Sequence, residues 1–137
     1  KYCSGTPEVQ IFRCLEMLGK VPAKEASRAL RRLFQSEDDH LMIFFMIVRQ
    51  FRLLVQARFL LDQGAPAGVI QKKIGIQPFI IHQLINQATA FSFSQLKEAY
   101  RQLAELDLRL KIGKIPISRD SDLLELSLDA LVYSLSE

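Results

Sequence analysis

A run of eight consecutive apolar residues, residues 41–48, most constrains how this chain can fold. The stretch that follows it, residues 49–62, contains neither Gly nor Pro, so the two together predict one long helix. A helix that is apolar on every side must be surrounded by other helices. We therefore predict an all-α protein, a compact bundle of about seven helices around a buried central helix.

Turn and capping residues divide the chain into these helices. Gly64 and Gly75 are typical helix stops, and Ser92 with Gln95 three residues later is a candidate capping box. No alternating strand pattern of useful length is present. The first predicted helix runs from residue 7 to the stop at residue 19, and the second starts at residue 22. The others run from residues 36–39 to the stop at residue 64, over 66–74, over 78 to about 91, from the cap at residue 92 to just before residue 113, and over 122–135.

The length and the start of the chain bound its organisation. A chain of 137 residues suits a single domain, so residues 1–137 are predicted to form one helical unit. Because the chain begins at Lys1 and not at Met, we expect a fragment of a longer protein. The apolar run is shorter than a bilayer span and is followed by Arg49 and Arg52, so no membrane contact is predicted.

The cysteines and histidines do not point to a metal or cofactor site. Cys3 and Cys14 are too few for a disulfide framework, and His40 and His82 lack metal-ligand spacing. We therefore predict no metal and no cofactor. The net charge of +3 is mild, so it permits contact with nucleic acid without arguing for it.

Residues 66–91 have the outline of a helix-turn-helix, with a short helix, a tight turn at Gly75 and a second helix. A DNA-reading helix needs polar or basic side chains at its start. Here Phe79, Ile80 and Ile81 occupy that start, and they cannot read base edges by hydrogen bonds. We expect these apolar side chains to serve packing. A helix-turn-helix DNA-binding domain is therefore kept as the alternative function.

The second predicted helix carries a basic face. Its members are Lys24, Arg28, Arg31 and Arg32, which lie opposite the apolar side of that helix. One interpretation is a solvated surface. The other is a partner-facing surface for phosphate or for an acidic subunit.

Asp107 falls on an apolar stripe between Leu103 and Leu110. A half-buried carboxylate needs a partner, and Lys111 lies one turn further on, so a structural ion pair is predicted. A small helical enzyme that uses Asp107 is a weaker alternative, since catalysis usually needs a second acid, a His or a metal nearby.

Several stretches, taken in order, resemble one known family. They are residues 29–33, 49–54, 74–79, 87–88, 91–92, 106–107 with Lys111 and Gly113, and 124–126. In this order and spacing the chain, from residue 9 to residue 135, resembles the C-terminal part of the delta subunit of the bacterial DNA polymerase III clamp loader. The structural family motif carried over by the resemblance is Gln50, Phe51, Arg52, Gly75, Pro78, Phe79, Asp107, Lys111, Gly113 and Glu125.

The resemblance implies a collar-like assembly domain in the bacterial cytoplasm. The expected partners are the other clamp-loader subunits, of the gamma/tau and delta-prime types. The sliding clamp and primed DNA would be reached only through the full-length complex. No enzyme activity is expected of this fragment, and the full-length protein would be a DNA polymerase III holoenzyme subunit without its own active site.

The same resemblance assigns roles to particular side chains. Asp107, Lys111 and Glu125 would tie the last two long helices together. Independently of the resemblance, we expect the surface formed by residues 79–81 and the basic face of the second helix to contact neighbouring subunits.

Overall fold

The computed structural model describes residues 7–18, 20–36, 40–112 and 121–135. The described residues form seven α-helices and contain no strand, which confirms the predicted all-α class. The helices are α1 (Pro7–Glu16), α2 (Ala23–Ser36), α3 (His40–Asp62), α4 (Ala67–Ile74), α5 (Pro78–Thr89), α6 (Phe93–Lys111) and α7 (Ser121–Leu135).

Most helix ends follow the predicted local signals. Gly64 and Gly75 have φ angles of 83° and 82°, the left-handed conformation that stops a helix. The capping box is confirmed: Ser92 Oγ accepts a hydrogen bond from the Gln95 amide at 3.1 Å, and Gln95 Oε1 accepts from the Ser92 amide at 2.9 Å. These contacts satisfy N–H groups that the first turn of α6 would otherwise leave unpaired.

Two predicted ends are too long. Helix α5 ends at Thr89 and not at residue 91, because Ser92 must be extended, with ψ 162°, to cap α6. The chain therefore leaves the helix before that residue. Helix α1 likewise ends at Glu16, short of the predicted stop at residue 19, and continues as a tight turn in which the Leu18 amide donates to the Leu15 carbonyl.

Helix α3 is the central element of the bundle. It packs against α1, α4, α5 and α6. Its side chains Ile43, Phe44 and Phe51 are almost completely buried. Burial of each such side chain stabilises the fold by roughly 1.5–3 kcal/mol before conformational entropy is counted.

One strip of α3 is nevertheless open to solvent. Phe45 is 42% exposed, Phe59 is 49% exposed, and Arg52 lies exposed between them. These residues are spaced by about two helical turns and so share one face. Among the described residues, the neighbouring helices cover this face only in part, as where the Phe59 ring lies 6.1 Å from the Phe93 ring of α6. The prediction that every side of the apolar run is covered is therefore wrong for Phe45.

By length and composition alone, α3 could cross a membrane. The core helix of a compact bundle satisfies the same criteria. Much of α3 is packed against other helices, so the structure supports the interpretation as a core helix.

Helices α2 and α7 form a second layer, and a polar contact joins them. The apolar side of α2 is buried as predicted, including Leu30 and Phe34. Ser27 Oγ donates to Asp129 Oδ1, and Arg31 Nη2 lies 2.8 Å from Asp129 Oδ2. The carboxylate of α7 thus holds two side chains of α2 on the edge of the core.

Candidate protein-docking groove

A groove of about 740 Å³ opens between α1, α3, α5 and the turn that joins α4 to α5. We call it the Phe79 groove, because Phe79 stands at its edge with 73% of its surface exposed. Its lining residues are Phe12, Arg13, Glu16, Arg49, Gln50, Leu53, Gly75, Ile76, Gln77, Phe79, Ile80, Gln83 and Leu84.

The α4–α5 turn explains why Phe79 is exposed. Gly75 adopts the left-handed conformation, and its amide donates to the Gln71 carbonyl at 2.8 Å, which closes α4. The Gln71 side chain then donates to the Ile76 carbonyl at 3.0 Å and braces the turn. Pro78 starts α5 at its first turn, where a missing amide hydrogen is harmless. Phe79 follows it on the outer side of that turn.

The opposite side of α5 belongs to the core. Ile81 and Leu84 are buried, while His82 and Gln83 are exposed. The start of α5 was predicted to be built for packing. Ile81 fits that expectation within the folded chain, whereas Phe79 packs little against it and presents its ring at the surface.

A chain of buried amides fixes the walls of the groove. Gln50 Nε2 of α3 donates to Gln87 Oε1 of α5 at 3.1 Å, and Gln87 Nε2 donates to the Phe12 carbonyl of α1 at 3.1 Å. Gln87 is only 3% exposed. Because buried amides are costly unless paired, this chain holds the three helices in one relative arrangement.

The charge around the groove is mainly positive. Arg13 and Arg49 contribute two guanidinium groups to the lining, and Glu16 contributes one carboxylate. Residues 40–89, which form α3, α4 and α5, contain five Lys and Arg residues but a single acidic residue, Asp62. That carboxylate is already paired with Arg58 at 3.0 Å. The groove therefore lies in a cationic part of the molecule.

The motif residues predicted from the resemblance lie in different parts of the fold. Gln50, Gly75 and Phe79 come together in the lining of the groove. Phe51 is buried in the core, and Arg52 is exposed on the open strip of α3. The remaining member of these stretches, Pro78, starts α5.

The predicted ion pair on α6 is confirmed. Lys111 Nζ lies 3.3 Å from Asp107 Oδ2, one turn apart on the helix. Gly113 and the side chain of Glu125 lie outside the described residues, so the predicted link between α6 and α7 stays a prediction. No group of three or more His, Cys, Asp or Glu among the described residues is placed to hold a metal ion.

The predicted basic face of α2 is exposed but is not part of the groove. Lys24, Arg28 and Arg32 lie on the solvent side of the helix. Arg31 differs from them because its guanidinium pairs with Asp129 of α7. At least one of the four cations therefore has a role inside the fold, while its side chain stays about half exposed, at 52%.

Cys14 and the two histidines occupy unrelated positions. Cys14 is partly buried on α1, and burial raises the pKa of its thiol to about 11, with a smaller opposite influence of Arg32. His40 Nε2 lies 2.7 Å from the Phe34 carbonyl, and its ring meets the Phe34 ring edge-on. Cys3 lies outside the described residues.

Sequence reasoning missed the contribution of α1 to the groove. Phe12, Arg13 and Glu16 reach it only because α1 packs on α3. Gln87 was noted as part of the resemblance but not as a buried bridge. Its polar amide between the core positions Leu84 and Ala88 is the signal that could have revealed it.

Comparison with known proteins agrees with this architecture. Residues 8–128 match the family described as "DNA polymerase III delta subunit, C-terminal domain". The chain is 28% identical over 107 residues to the DNA polymerase III subunit delta of Bacillus subtilis (strain 168), which covers 78% of this chain and 31% of that protein.

A solved structure gives the same result for the fold. The Bacillus subtilis DNA clamp loader delta protein (YqeN) superposes with a TM-score of 0.79 at 26% identity, over 93% of this chain and 37% of that one. The chain thus spans about a third of the length of these relatives. Since the family match covers most of its residues, this chain belongs to the C-terminal domain family of the DNA polymerase III delta subunit.

Proposed function

We propose that this chain is the collar domain of a clamp-loader delta subunit. In this role it holds delta beside gamma/tau-type and delta-prime-type subunits while the assembled loader places the sliding clamp on primed DNA. The observation that carries the proposal is the Phe79 groove, which the described residues leave uncovered and at whose edge the ring of Phe79 is exposed. Membership of the delta C-terminal family supplies the class of partner.

An exposed aromatic side chain beside a groove is typical of an assembly surface. Interface cores are enriched in aromatic residues and in Arg, and both occur here. A ring as exposed as that of Phe79 gains stability only when a partner covers it.

The domain contributes no chemistry of its own in this proposal. We take residues 1–137 as one assembly domain of a cytoplasmic replication protein, whose contacts with the clamp and with primed DNA come from the complete complex. The motif residues Asp107 and Lys111 then serve the stability of α6 and take no part in catalysis.

The first test is assembly. The purified protein that carries this domain is mixed with gamma/tau-type and delta-prime-type subunits of the same organism and analysed by size-exclusion chromatography with light scattering. Co-elution in a complex of defined mass is the expected result. Absence of any complex would contradict the collar role.

The second test addresses the helix-turn-helix alternative. A duplex-reading domain binds a defined sequence tightly, and its affinity falls steeply as salt is raised. We expect only weak binding without sequence preference. Nanomolar affinity for one duplex, lost after substitution of residues at the start of α5, would favour the alternative.

A further inference from the structure

We propose that the Phe79 groove receives an acidic amphipathic helix from a neighbouring clamp-loader subunit. An apolar side chain of that helix packs against Phe79, and a carboxylate pairs with Arg49. This inference rests on the proposed collar function, to which it adds the binding surface and the chemistry of the partner.

The apolar anchor is defined by the groove itself. Phe79 leaves 73% of its surface in water, and the groove beside it is lined by aliphatic side chains as well as polar ones. Leu53, Ile76 and Ile80 are the partly exposed aliphatic members of the lining, whereas Leu84 is buried. An apolar side chain entering there removes both surfaces from water at once, which is how anchor residues work in helix-in-groove complexes.

The groove is already formed before any partner arrives. Its walls come from α1, α3 and α5, which the Gln50–Gln87–Phe12 amide chain joins at 3.1 Å for each hydrogen bond. Its volume of about 740 Å³ has room for several side chains. A preformed site loses little conformational entropy on binding, so the apolar contact is used efficiently.

Charge selects an acidic occupant. Arg49 lines the groove, and Arg52 is exposed one turn further along α3. The lining holds two guanidinium groups against one carboxylate, that of Glu16, and helices α3 to α5 carry four basic residues beyond the Arg58–Asp62 pair. Complementary charge on the partner accelerates encounter and fixes its register, whereas a basic helix would be repelled.

The same charge disfavours a second copy of this chain. Two copies that met groove to groove would oppose two surfaces of the same net positive charge, which is unfavourable across an interface. An acidic helix on a different subunit avoids this repulsion. A collar made of different subunits offers such a partner.

The test uses two substitutions in the protein that carries the domain, with a matched control for each. Phe79→Ala removes the anchor, and Leu108→Ala removes an exposed apolar side chain of α6 outside the groove. Arg49→Glu reverses the charge, and Lys97→Glu does the same at an exposed position of α6. Circular dichroism of each variant confirms folding.

Affinity for the purified gamma/tau-type and delta-prime-type subunits is the readout. We expect Phe79→Ala to weaken binding to one of them by about 30-fold, which corresponds to the loss of about 2 kcal/mol typical of an anchor. Arg49→Glu is expected to weaken it by about tenfold and to flatten its salt dependence. The controls are expected to stay within about twofold.

The outcomes separate the two proposals. If the unsubstituted protein binds neither subunit, both the collar role and this inference fail. If the unsubstituted protein binds and Phe79→Ala has the same affinity as the unsubstituted protein or as Leu108→Ala, only the groove assignment is overturned. A change confined to self-association, or to DNA affinity, would overturn it in the same way.

Discussion

The amide bridge at Gln87 allows a quantitative test of what holds the groove together. Gln87→Leu keeps most of the side-chain volume but removes the acceptor of Gln50 Nε2 and the donor to the Phe12 carbonyl. Gln87 and Gln50 are buried, at 3% and 9% exposed, so little of either amide is in contact with water. A buried polar group left without a partner costs about 1–3 kcal/mol.

We therefore expect Gln87→Leu to lower the free energy of unfolding by about 2 kcal/mol, and Gln50→Leu by about 1–2 kcal/mol. The double variant leaves neither side-chain amide without a partner, because both glutamines are replaced by apolar residues. Its expected cost is about 1 kcal/mol in total, far below the sum of the single changes.

Urea unfolding followed by circular dichroism at 222 nm measures each variant, and an unchanged m-value confirms comparable unfolding. Gln83→Leu, at an exposed position of the same helix, is the control and is expected to change stability by less than about 0.5 kcal/mol. Additive costs in the double variant would refute the reasoning, since they would mean that the two amides do not depend on each other.

Three further predictions concern local features. Gly75→Ala should lower the free energy of unfolding by about 1–2 kcal/mol because the φ angle of Gly75 is 82°. Gly68→Ala, inside α4 with no atom near the added Cβ, should raise it by about 0.5–1 kcal/mol, and thermal and urea unfolding of both variants will show whether the two changes have opposite signs. Asp129→Ala should lower the free energy of unfolding by about 1–3 kcal/mol because it removes the polar contacts between α2 and α7. Glu105→Ala, an exposed control with two surface ion pairs, should leave the unfolding midpoint almost unchanged. Cys14 should react with iodoacetamide at pH 8 about 100-fold more slowly in the folded chain than in urea, as peptide mapping can measure, because burial raises its pKa from 9.0 to about 11. The stability that this pKa shift contributes is complete below pH 9 and is lost as pH rises toward 11. Equal reactivity of Cys14 in the folded and unfolded states, or a constant free energy of unfolding between pH 9 and 11, would contradict the raised pKa.

Much of the fold could be predicted from local sequence. Gly75 stops α4 and Ser92 caps α6 because a left-handed turn and a capping box depend on residues a few positions apart. Asp107 and Lys111 could be paired for the same reason, since helical spacing alone brings them together. These features needed no knowledge of the tertiary packing.

The candidate site was only partly predictable. Phe79 was identified from its position at the start of α5, but the sequence did not show that Ile81 would face the core and leave Phe79 exposed. Arg31 was assigned to a basic surface, although its carboxylate partner lies on α7, 98 residues away in sequence. No periodicity within α2 contains that information.

The amino-acid sequence by itself determined the helices, their approximate ends, the apolar sides that form the core and the resemblance to the delta family. Each of these follows from the order of neighbouring residues, because backbone hydrogen bonding and capping act over one or two helical turns. The tertiary structure alone decided which face of α3 stays open, which buried amides meet, and that α1, α3 and α5 enclose a groove beside Phe79. Those features depend on contacts between helices distant in the sequence, where a small change in packing exchanges one set of neighbours for another.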